Sequence, residues 1–170
     1  MAGEHGSGGA TYSAAALCDL HARTHQSLTR LLAHCETLPP AAIDRGLEGF
    51  GYPSVRLQLH HVIGAEQYWI GVLQGRVEAE MDDAAYPSIA ALAAYREHVF
   101  AATREYLESA SERELNTPRP MVTWGGREQV LMPARVVLRT QTHVFQHQGQ
   151  VVAMCRLLGS PVGGLDFPIV

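Results

Sequence analysis

The sequence contains no lysine, and all thirteen of its basic residues are arginines. The formal net charge is −4, and no stretch of the chain concentrates basic residues. A surface that binds nucleic acid needs a dense positive patch to replace the counterions of the phosphates. The composition therefore argues against a nucleic-acid partner. Because the arginines form no cluster, we attribute the lack of lysine to coding bias in a GC-rich genome.

Cysteines and long apolar runs are also scarce. The three cysteines, Cys18, Cys35 and Cys155, are odd in number and widely spaced, which favours a reducing compartment over a disulfide framework. No uncharged apolar stretch reaches the length of a transmembrane helix. The first ten residues lack the basic start and apolar run of a secretory signal, and we expect them to form a flexible tail. These features predict a soluble, cytoplasmic protein without a membrane partner.

Four segments of the chain have helical periodicity. Hydrophobic residues make up 46% of the 170 residues, which is enough for one domain with a substantial core. Serine caps, prolines and glycines mark the ends of the segments. The predicted helices run from Ser13 to Leu38, from the YPSV segment (52–55) to Gly75, from Ser88 to Ala110, and from Pro133 to Gly159.

The connection before the last helix has a different pattern. Two β-prone stretches, MVTW (121–124) and REQV (127–130), flank Gly125 and Gly126. Two adjacent glycines can take the positive φ of a tight turn, so this pattern predicts a short hairpin. Four helices about 30 Å long bury their apolar faces best as a bundle. The predicted fold is therefore all-α, a single antiparallel four-helix bundle over residues 11–170, with long connections and this hairpin.

The last predicted helix carries a pair of histidines, His143 and His147, one helical turn apart in the segment THVFQHQGQV (142–151). A second pair, His21 and His25, has the same spacing, so spacing alone does not identify a site. The face through His143 and His147 mixes polar and apolar residues, which suggests a lined cavity more than a dry core. The residues alone leave structural histidines and a metal site equally open.

The second predicted helix contains two adjacent histidines, His60 and His61, that point about 100° apart. His61 shares its face with Leu57, Ala65 and Tyr68. We therefore expect His61 to point into the bundle and His60 to lie nearer its edge. A buried imidazole needs partners for its nitrogens, which either hydrogen bonds or a metal ion can supply.

Two segments, HVIGAEQYW (61–69) and HVFQHQGQ (143–150), resemble the signature segments of the DinB/YfiT-like superfamily of metal-binding four-helix bundles. The family patterns are similar to H-x-x-x-A-E-x-x-W and H-x-x-x-H-R-G-Q. The resemblance implies that His61, His143 and His147 bind a divalent metal, zinc or nickel, and that the protein forms a homodimer. Gln148 stands where the family usually has arginine, which puts in doubt any role of this position in holding a ligand or an interface.

Three imidazole ligands leave at least one coordination position open, as in catalytic metal sites. Because family members include thiol-dependent enzymes, the resemblance implies a transferase that activates a low-molecular-weight thiol, bacillithiol or mycothiol, for attack on a small electrophile. A stress-linked metal-binding protein without turnover stays open as the alternative. A metal-dependent hydrolase is less favoured, because the nearest acid, Glu66, lies about 140° around the helix from His61.

Five further residues are candidates for the pocket, each with an alternative. The resemblance supports Gln150 as a pocket residue. Tyr68 and Trp69 line the cavity or serve ordinary bundle packing. Arg139 binds a carboxylate of the thiol or substrate, or lies on the surface. His25 borders the cavity from the first helix, although no ligand of the family falls there.

Overall fold

The computed structural model of the chain describes residues 11–77 and 82–170. The predicted tail, residues 1–10, lies outside the described residues. Four long helices confirm the predicted all-α bundle, and two short helices and a two-stranded sheet lie in the connections. The elements are α1 (Ala14–Glu36), α2 (Pro40–Ile43), α3 (Val55–Leu73), α4 (Ile89–Ser109), α5 (Glu112–Asn116), β1 (Arg119–Thr123), β2 (Arg127–Leu131) and α6 (Pro133–Leu157).

The long helices begin where the sequence predicts. The hydroxyls of Ser13, Ser54 and Ser88 each accept a hydrogen bond from the backbone N–H three residues further on. Each such cap satisfies an otherwise unpaired donor and contributes about 1 kcal/mol. Pro133 is the first residue of α6, where its missing N–H costs nothing. These caps fix where each helix begins, and so fix which of its side chains face the core.

The predicted hairpin is confirmed. Strands β1 and β2 pair antiparallel, from Arg119 opposite Leu131 to Thr123 opposite Arg127. Gly125 and Gly126 in the turn have φ values of 71° and 73°. Side chains with a Cβ rarely adopt this conformation, so the two glycines allow the chain to reverse here. The turn therefore follows directly from the local sequence.

Contacts between helices give the directions of the bundle. Helices α1 and α3 each pack against α4 and α6. Between α1 and α6, Ser27 bonds Gln148 and Cys35 lies beside Cys155, so residue numbers rise together and these two helices run parallel. The same reasoning applies to the other three adjacent pairs. The contacts are His21–Phe100 and His25–Arg96 for α1/α4, Gln58–His147 and Trp69–Arg139 for α3/α6, and His60–Tyr95 and Glu66–Thr103 for α3/α4.

The bundle therefore contains both kinds of neighbour. Helices α1 and α4 are antiparallel, as are α3 and α6, which agrees with the prediction. Helices α3 and α4 are parallel although they follow each other in the chain.

A layer of buried polar side chains interrupts the core at mid-height. One apolar cluster surrounds Leu28, Leu59 and Val99, and the other surrounds Leu17, Ile70 and Leu107. Every long helix contributes to the layer between them. Its members are His21, Thr24, His25, Glu66, Thr103, Thr140 and Gln141. None of the helices in the described part of the chain has an apolar stretch long enough to cross a membrane.

The chain after α6 folds back over the groove between α1 and α6. The carboxamide of Gln148 donates to the hydroxyl of Ser27 at 2.9 Å and to the carbonyl of Leu165. The hydroxyl of Ser27 donates to the same carbonyl at 3.0 Å, and Arg23 donates to the carbonyl of Pro168 at 3.1 Å. Gln148, the departure from the family pattern, thus fastens the C-terminal segment to the bundle.

Candidate metal centre

Three histidines from two helices meet on one side of the bundle. His61 lies on α3, and His143 and His147 lie one turn apart on the antiparallel helix α6. One ring nitrogen of each lies within 4.8 Å of the other two. The Nε2 atoms of His61 and His143 are 3.3 Å apart. We call this group the cavity cluster.

Burial keeps the imidazoles of the cavity cluster neutral. It lowers the pKa of His61 to about 4, with further lowering from His147, His143 and His60. Burial likewise lowers the pKa of His143 to about 4, helped by His147 and Arg139, and burial lowers the pKa of His147. A neutral imidazole has a free lone pair, which is the form that binds a metal ion.

No carboxylate among residues 11–77 and 82–170 bonds to the cavity cluster. Two Nε2 atoms that face each other at 3.3 Å can share at most one proton. The third imidazole, His147, adds another nitrogen within the same small volume. A divalent cation satisfies all three lone pairs, so the donor set fits a metal ion.

Gln58 supports this interpretation from behind His147. Its carboxamide lies 2.8 Å from Nδ1 of His147 and also contacts the carboxamide of Gln150. The amide oxygen of Gln58 is buried and has no hydrogen-bond partner among residues 11–77 and 82–170. Because the two ends of a carboxamide can exchange by a half-turn, this oxygen can accept a hydrogen bond from Nδ1–H of His147. That arrangement leaves Nε2 free, as in histidines that bind metals.

The cavity cluster opens onto a cavity of about 830 Å³, whose wall includes His61 and His143. Tyr68, Trp69 and Arg139, three of the pocket candidates, line the same cavity. The guanidinium carbon of Arg139 lies 4.8 Å from the ring centre of Trp69. The structure therefore brings these three side chains together with two of the candidate ligands.

The hairpin forms another wall of the cavity, which the sequence analysis did not anticipate. Trp124, Arg127 and Gln129 line it from this side. The backbone N–H of Trp124 donates to the hydroxyl of Tyr68 at 2.6 Å, which ties the turn to α3. No local pattern signals this contact, because it joins residues 56 positions apart in the sequence.

Tyr52 is a further side chain that sequence reasoning missed. Its ring stacks on that of His61, with 3.9 Å between the ring centres and 18° between the planes. Tyr52 lies in the connection just before the Ser54 cap of α3, and it also lines the cavity. The stacking restricts the orientation of the His61 imidazole.

The sequence predicts that His60 lies nearer the edge of the bundle than His61, and this prediction is wrong. His60 is buried, at 8% exposure, and its ring lies near those of Tyr86 and Tyr95. His61 is partly exposed. Both histidines line the cavity, but the face of His60 also packs against α4, which leaves His61 the more exposed of the two. Helical periodicity does not distinguish a cavity wall from a packed interface.

Two other pocket candidates lie elsewhere. Gln150 does not line the cavity, and its carboxamide contacts that of Gln58 behind His147. His25 does not line the cavity either. It belongs to a second group, formed with His21 and Glu66 across the centre of the bundle. We call this group the buried cluster.

The buried cluster is saturated with hydrogen bonds. Glu66 lies 3.0 Å from Nε2 of His21 and 2.8 Å from Nε2 of His25, and it accepts from the hydroxyl of Thr103 at 2.7 Å. A guanidinium nitrogen of Arg96 donates to Nδ1 of His25 at 3.1 Å. Because Nδ1 accepts, Nε2 of His25 carries the proton and donates to Glu66. The Nε2 atoms of both histidines are therefore occupied by hydrogen bonds to Glu66 and are not free to bind a metal ion.

The electrostatics of the buried cluster agree with this arrangement. Burial alone would raise the pKa of Glu66, but His25 and the hydrogen bonds from both histidines hold it well below its ordinary value. Burial lowers the pKa of His21, against the opposing effect of Glu66. Glu66 is thus a buried carboxylate held by neighbouring donors on the far side of α3 from the cavity cluster. It is not placed to act as a base for a ligand at His61.

Comparison with known proteins agrees with this architecture. The model of the DinB family matches residues 19–170. The matched range contains all four long helices nearly complete and all residues of both clusters. Comparison with curated proteins found no significantly similar sequence.

Proposed function

This chain belongs to the DinB family, and we propose that it is a metal-dependent transferase that activates a low-molecular-weight thiol for attack on a small electrophile. The observation that carries the proposal is the cavity cluster, in which three imidazole nitrogens converge within 4.8 Å beside a cavity of about 830 Å³. A cavity of this size accommodates a small organic molecule.

His61, His143 and His147 would hold a divalent cation, with zinc or nickel as the proposed metals. Imidazole suits both metals, and three protein ligands leave a coordination position for a small molecule. Gln58 would fix the tautomer of His147, and Tyr52 would fix the ring of His61. Gln58 acts from behind His147, and Tyr52 acts from the wall of the cavity.

A divalent cation held by these nitrogens would lower the pKa of a thiol beside it, so that thiolate would be present at neutral pH. A thiol that has lost its proton to solvent would donate its sulfur electron pair to the electrophilic carbon, and the leaving group would depart with the electrons of the broken bond. Tyr68, Trp69 and Trp124 provide apolar walls for the electrophile. Bacillithiol and mycothiol are the proposed thiols.

Among the described residues, the acidic side chains nearest the cavity are already paired, which favours a thiol over water as the nucleophile. Hydrolysis needs a base beside the metal-bound water. Glu66 is committed to the buried cluster, and Asp83, which lines the cavity, lies 3.7 Å from the guanidinium of Arg56. A thiol needs no such base, because it loses its proton far more readily than water does.

Cobalt substitution tests the proposal. The full chain is loaded with cobalt and titrated with bacillithiol, mycothiol, glutathione and cysteine. Coordination of a thiolate should add a sulfur-to-metal charge-transfer band, and one thiol should also give saturable, metal-dependent loss of a reactive electrophile. Metal binding without a response to any thiol would contradict the transferase and favour the metal-binding protein or the hydrolase.

The homodimer and the cytoplasmic location stay predictions. Sedimentation equilibrium of the purified chain measures the first, and localisation of a tagged chain in the source cells measures the second. A monomer in solution would leave the proposed chemistry intact, since the cavity cluster is complete within one chain.

A further inference from the structure

Within the part of the chain that the structure describes, more basic than acidic side chains line the cavity. The basic ones are Arg127 and Arg139. Among the described lining residues, Asp83 is the one carboxylate, and it is already paired with Arg56. Neither Arg127 nor Arg139 forms an ion pair with an acidic side chain of residues 11–77 or 82–170.

Arg139 is held in position next to the candidate ligands. Its guanidinium lies over the ring of Trp69, a contact that restricts an otherwise mobile side chain. It precedes His143 by one turn of α6. A divalent cation at the histidines would add positive charge nearby. An anion between Arg139 and the histidines would be attracted to both.

Arg127 reaches the cavity from the hairpin. It is the first residue of β2, and its carbonyl accepts a hydrogen bond from the hydroxyl of Thr123 at 2.9 Å. The turn before it is fixed to α3 through Trp124 and Tyr68. The backbone of Arg127 is therefore anchored, although its side chain is exposed. Two guanidinium groups thus reach the same cavity from different elements of the fold.

Aromatic side chains also form part of the cavity wall. Tyr68, Trp69 and Trp124 line the cavity together with the arginines and the histidines. A ligand that matches this wall carries an anionic group for the guanidiniums and a carbon frame for the rings. Guanidinium pairs with a carboxylate through two parallel hydrogen bonds, which gives direction as well as affinity.

We propose that Arg127 and Arg139 form a carboxylate-binding subsite, and that the cavity selects small thiols that carry a carboxylate over thiols that lack one. The thiol end of this ligand rests on the proposed function, whereas the carboxylate end does not. A thiol without a carboxylate, such as mycothiol, would leave both guanidiniums to solvent, so of the two proposed thiols the subsite favours bacillithiol, which carries a malate.

Isothermal titration of the cobalt-loaded full chain tests the subsite with three probes: mercaptosuccinate, 2-mercaptoethanol and succinate. Mercaptosuccinate should bind at least tenfold more tightly than 2-mercaptoethanol. Arg127→Gln and Arg139→Gln should each weaken mercaptosuccinate about fivefold, as expected for exposed ion pairs, and leave 2-mercaptoethanol unchanged. Arg135→Gln is the matched control, because Arg135 is an exposed arginine on α6 that does not line this cavity.

The probes separate failure of the subsite from failure of the proposed function. If both thiols bind and neither Arg127→Gln nor Arg139→Gln changes the preference, the subsite is overturned and the thiol function stands. If neither thiol binds through sulfur but succinate binding is lost in Arg139→Gln, the subsite stands and the thiol function fails. Equal weakening of 2-mercaptoethanol would also overturn the subsite, since it would show that the variants disturb the metal end.

Discussion

Two histidine clusters flank α3, and both use a pair of histidines one turn apart plus one residue of α3. In the cavity cluster the residue from α3 is His61, and in the buried cluster it is Glu66. His61 and His143 are partly exposed at a cavity, whereas His21, His25 and Glu66 are each at most 2% exposed. The spacing of the histidine pairs is thus the same, and their surroundings are opposite.

The difference shows that partners, rather than spacing, decide the chemistry of such a pair. In the buried cluster the carboxylate of Glu66 accepts hydrogen bonds from both imidazoles, and Arg96 donates a hydrogen bond to the other nitrogen of His25. In the cavity cluster the Nε2 atoms of His61 and His143 face each other with no acid between them. Imidazole lone pairs that converge without a proton between them favour a bound cation. Imidazoles whose nitrogens already take part in hydrogen bonds favour a hydrogen-bond network.

The largest expected effect is the loss of metal from the cavity cluster. His61→Ala, His143→Ala and His147→Ala should each abolish stoichiometric metal binding, because two imidazoles leave the cation too few protein ligands. Elemental analysis of the purified variants measures this. His60→Gln is the control, since His60 packs against Tyr86 and Tyr95 and should keep its metal. Full metal content in His143→Ala would contradict the assignment.

The second prediction concerns the buried cluster, where the effect should fall on stability. Replacing both His21 and His25 by Gln should leave the metal content near that of the wild type. It should lower the free energy of unfolding by about 3 kcal/mol, because it disrupts a buried charged network. This corresponds to about 6–12 °C in thermal unfolding followed by circular dichroism. Loss of metal from a folded double variant would show that the two clusters are not distinct.

The third prediction is the pH dependence of stability. The pKa of Glu66 is lowered in the folded protein, so the unfolded chain takes up this proton first as the pH falls. Its contribution is therefore complete above about pH 5 and is lost progressively below the ordinary pKa of about 4.3. The lowered pKa values of His21 and of the three histidines of the cavity cluster act in the same direction from about pH 6.5 downward.

Glu66→Gln separates the contribution of Glu66 from that of the histidines. Between pH 5 and 3 the free energy of unfolding of the variant should fall less steeply than that of the wild type, and the slope between pH 6.5 and 5 should persist. Urea unfolding at a series of pH values measures both slopes. Identical slopes below pH 5 would show that Glu66 is not an ionised carboxylate in the folded protein.

Much of the architecture could be predicted from local sequence. Ser13, Ser54 and Ser88 cap helices because a hydroxyl bonds an N–H three residues away, and that distance along the chain is visible in any sequence. The turn at Gly125 and Gly126 depends equally on local backbone freedom. These interactions need no tertiary contact, so the elements and their approximate ends follow from the sequence.

The environment of the sites could not be predicted in the same way. The greater burial of His60 than of His61 depends on where α4 packs, and the cavity wall at Trp124 depends on a contact with Tyr68. Gln58 and Tyr52 carry no motif, since their roles come from neighbours brought together by the fold. The resemblance to a family identified the three candidate ligand histidines, but it gave no information on these supporting contacts.

The smallest expected effect tests the support behind the cavity cluster. If the amide oxygen of Gln58 accepts from Nδ1–H of His147, removing it should weaken metal binding without removing a ligand. Gln58→Met, which keeps the size of the side chain, should lower the affinity for zinc about tenfold, a typical cost of losing such a partner. Competition with a chromophoric chelator measures the affinity, and the metal should still bind stoichiometrically at saturating zinc.

Two further variants distinguish positioning from packing. Gln58→Glu presents a stronger acceptor to the same Nδ1–H, so it should retain or exceed the wild-type affinity for zinc. Gln141→Met is the matched control, because Gln141 is a buried glutamine of α6 whose side-chain atoms have no hydrogen-bond partner in the described part of the chain. Its replacement should change neither zinc affinity nor stability adversely, since no hydrogen bond is lost. A loss of affinity shared by Gln58→Met and Gln58→Glu would indicate that Gln58 acts through packing and leaves the imidazole of His147 unoriented.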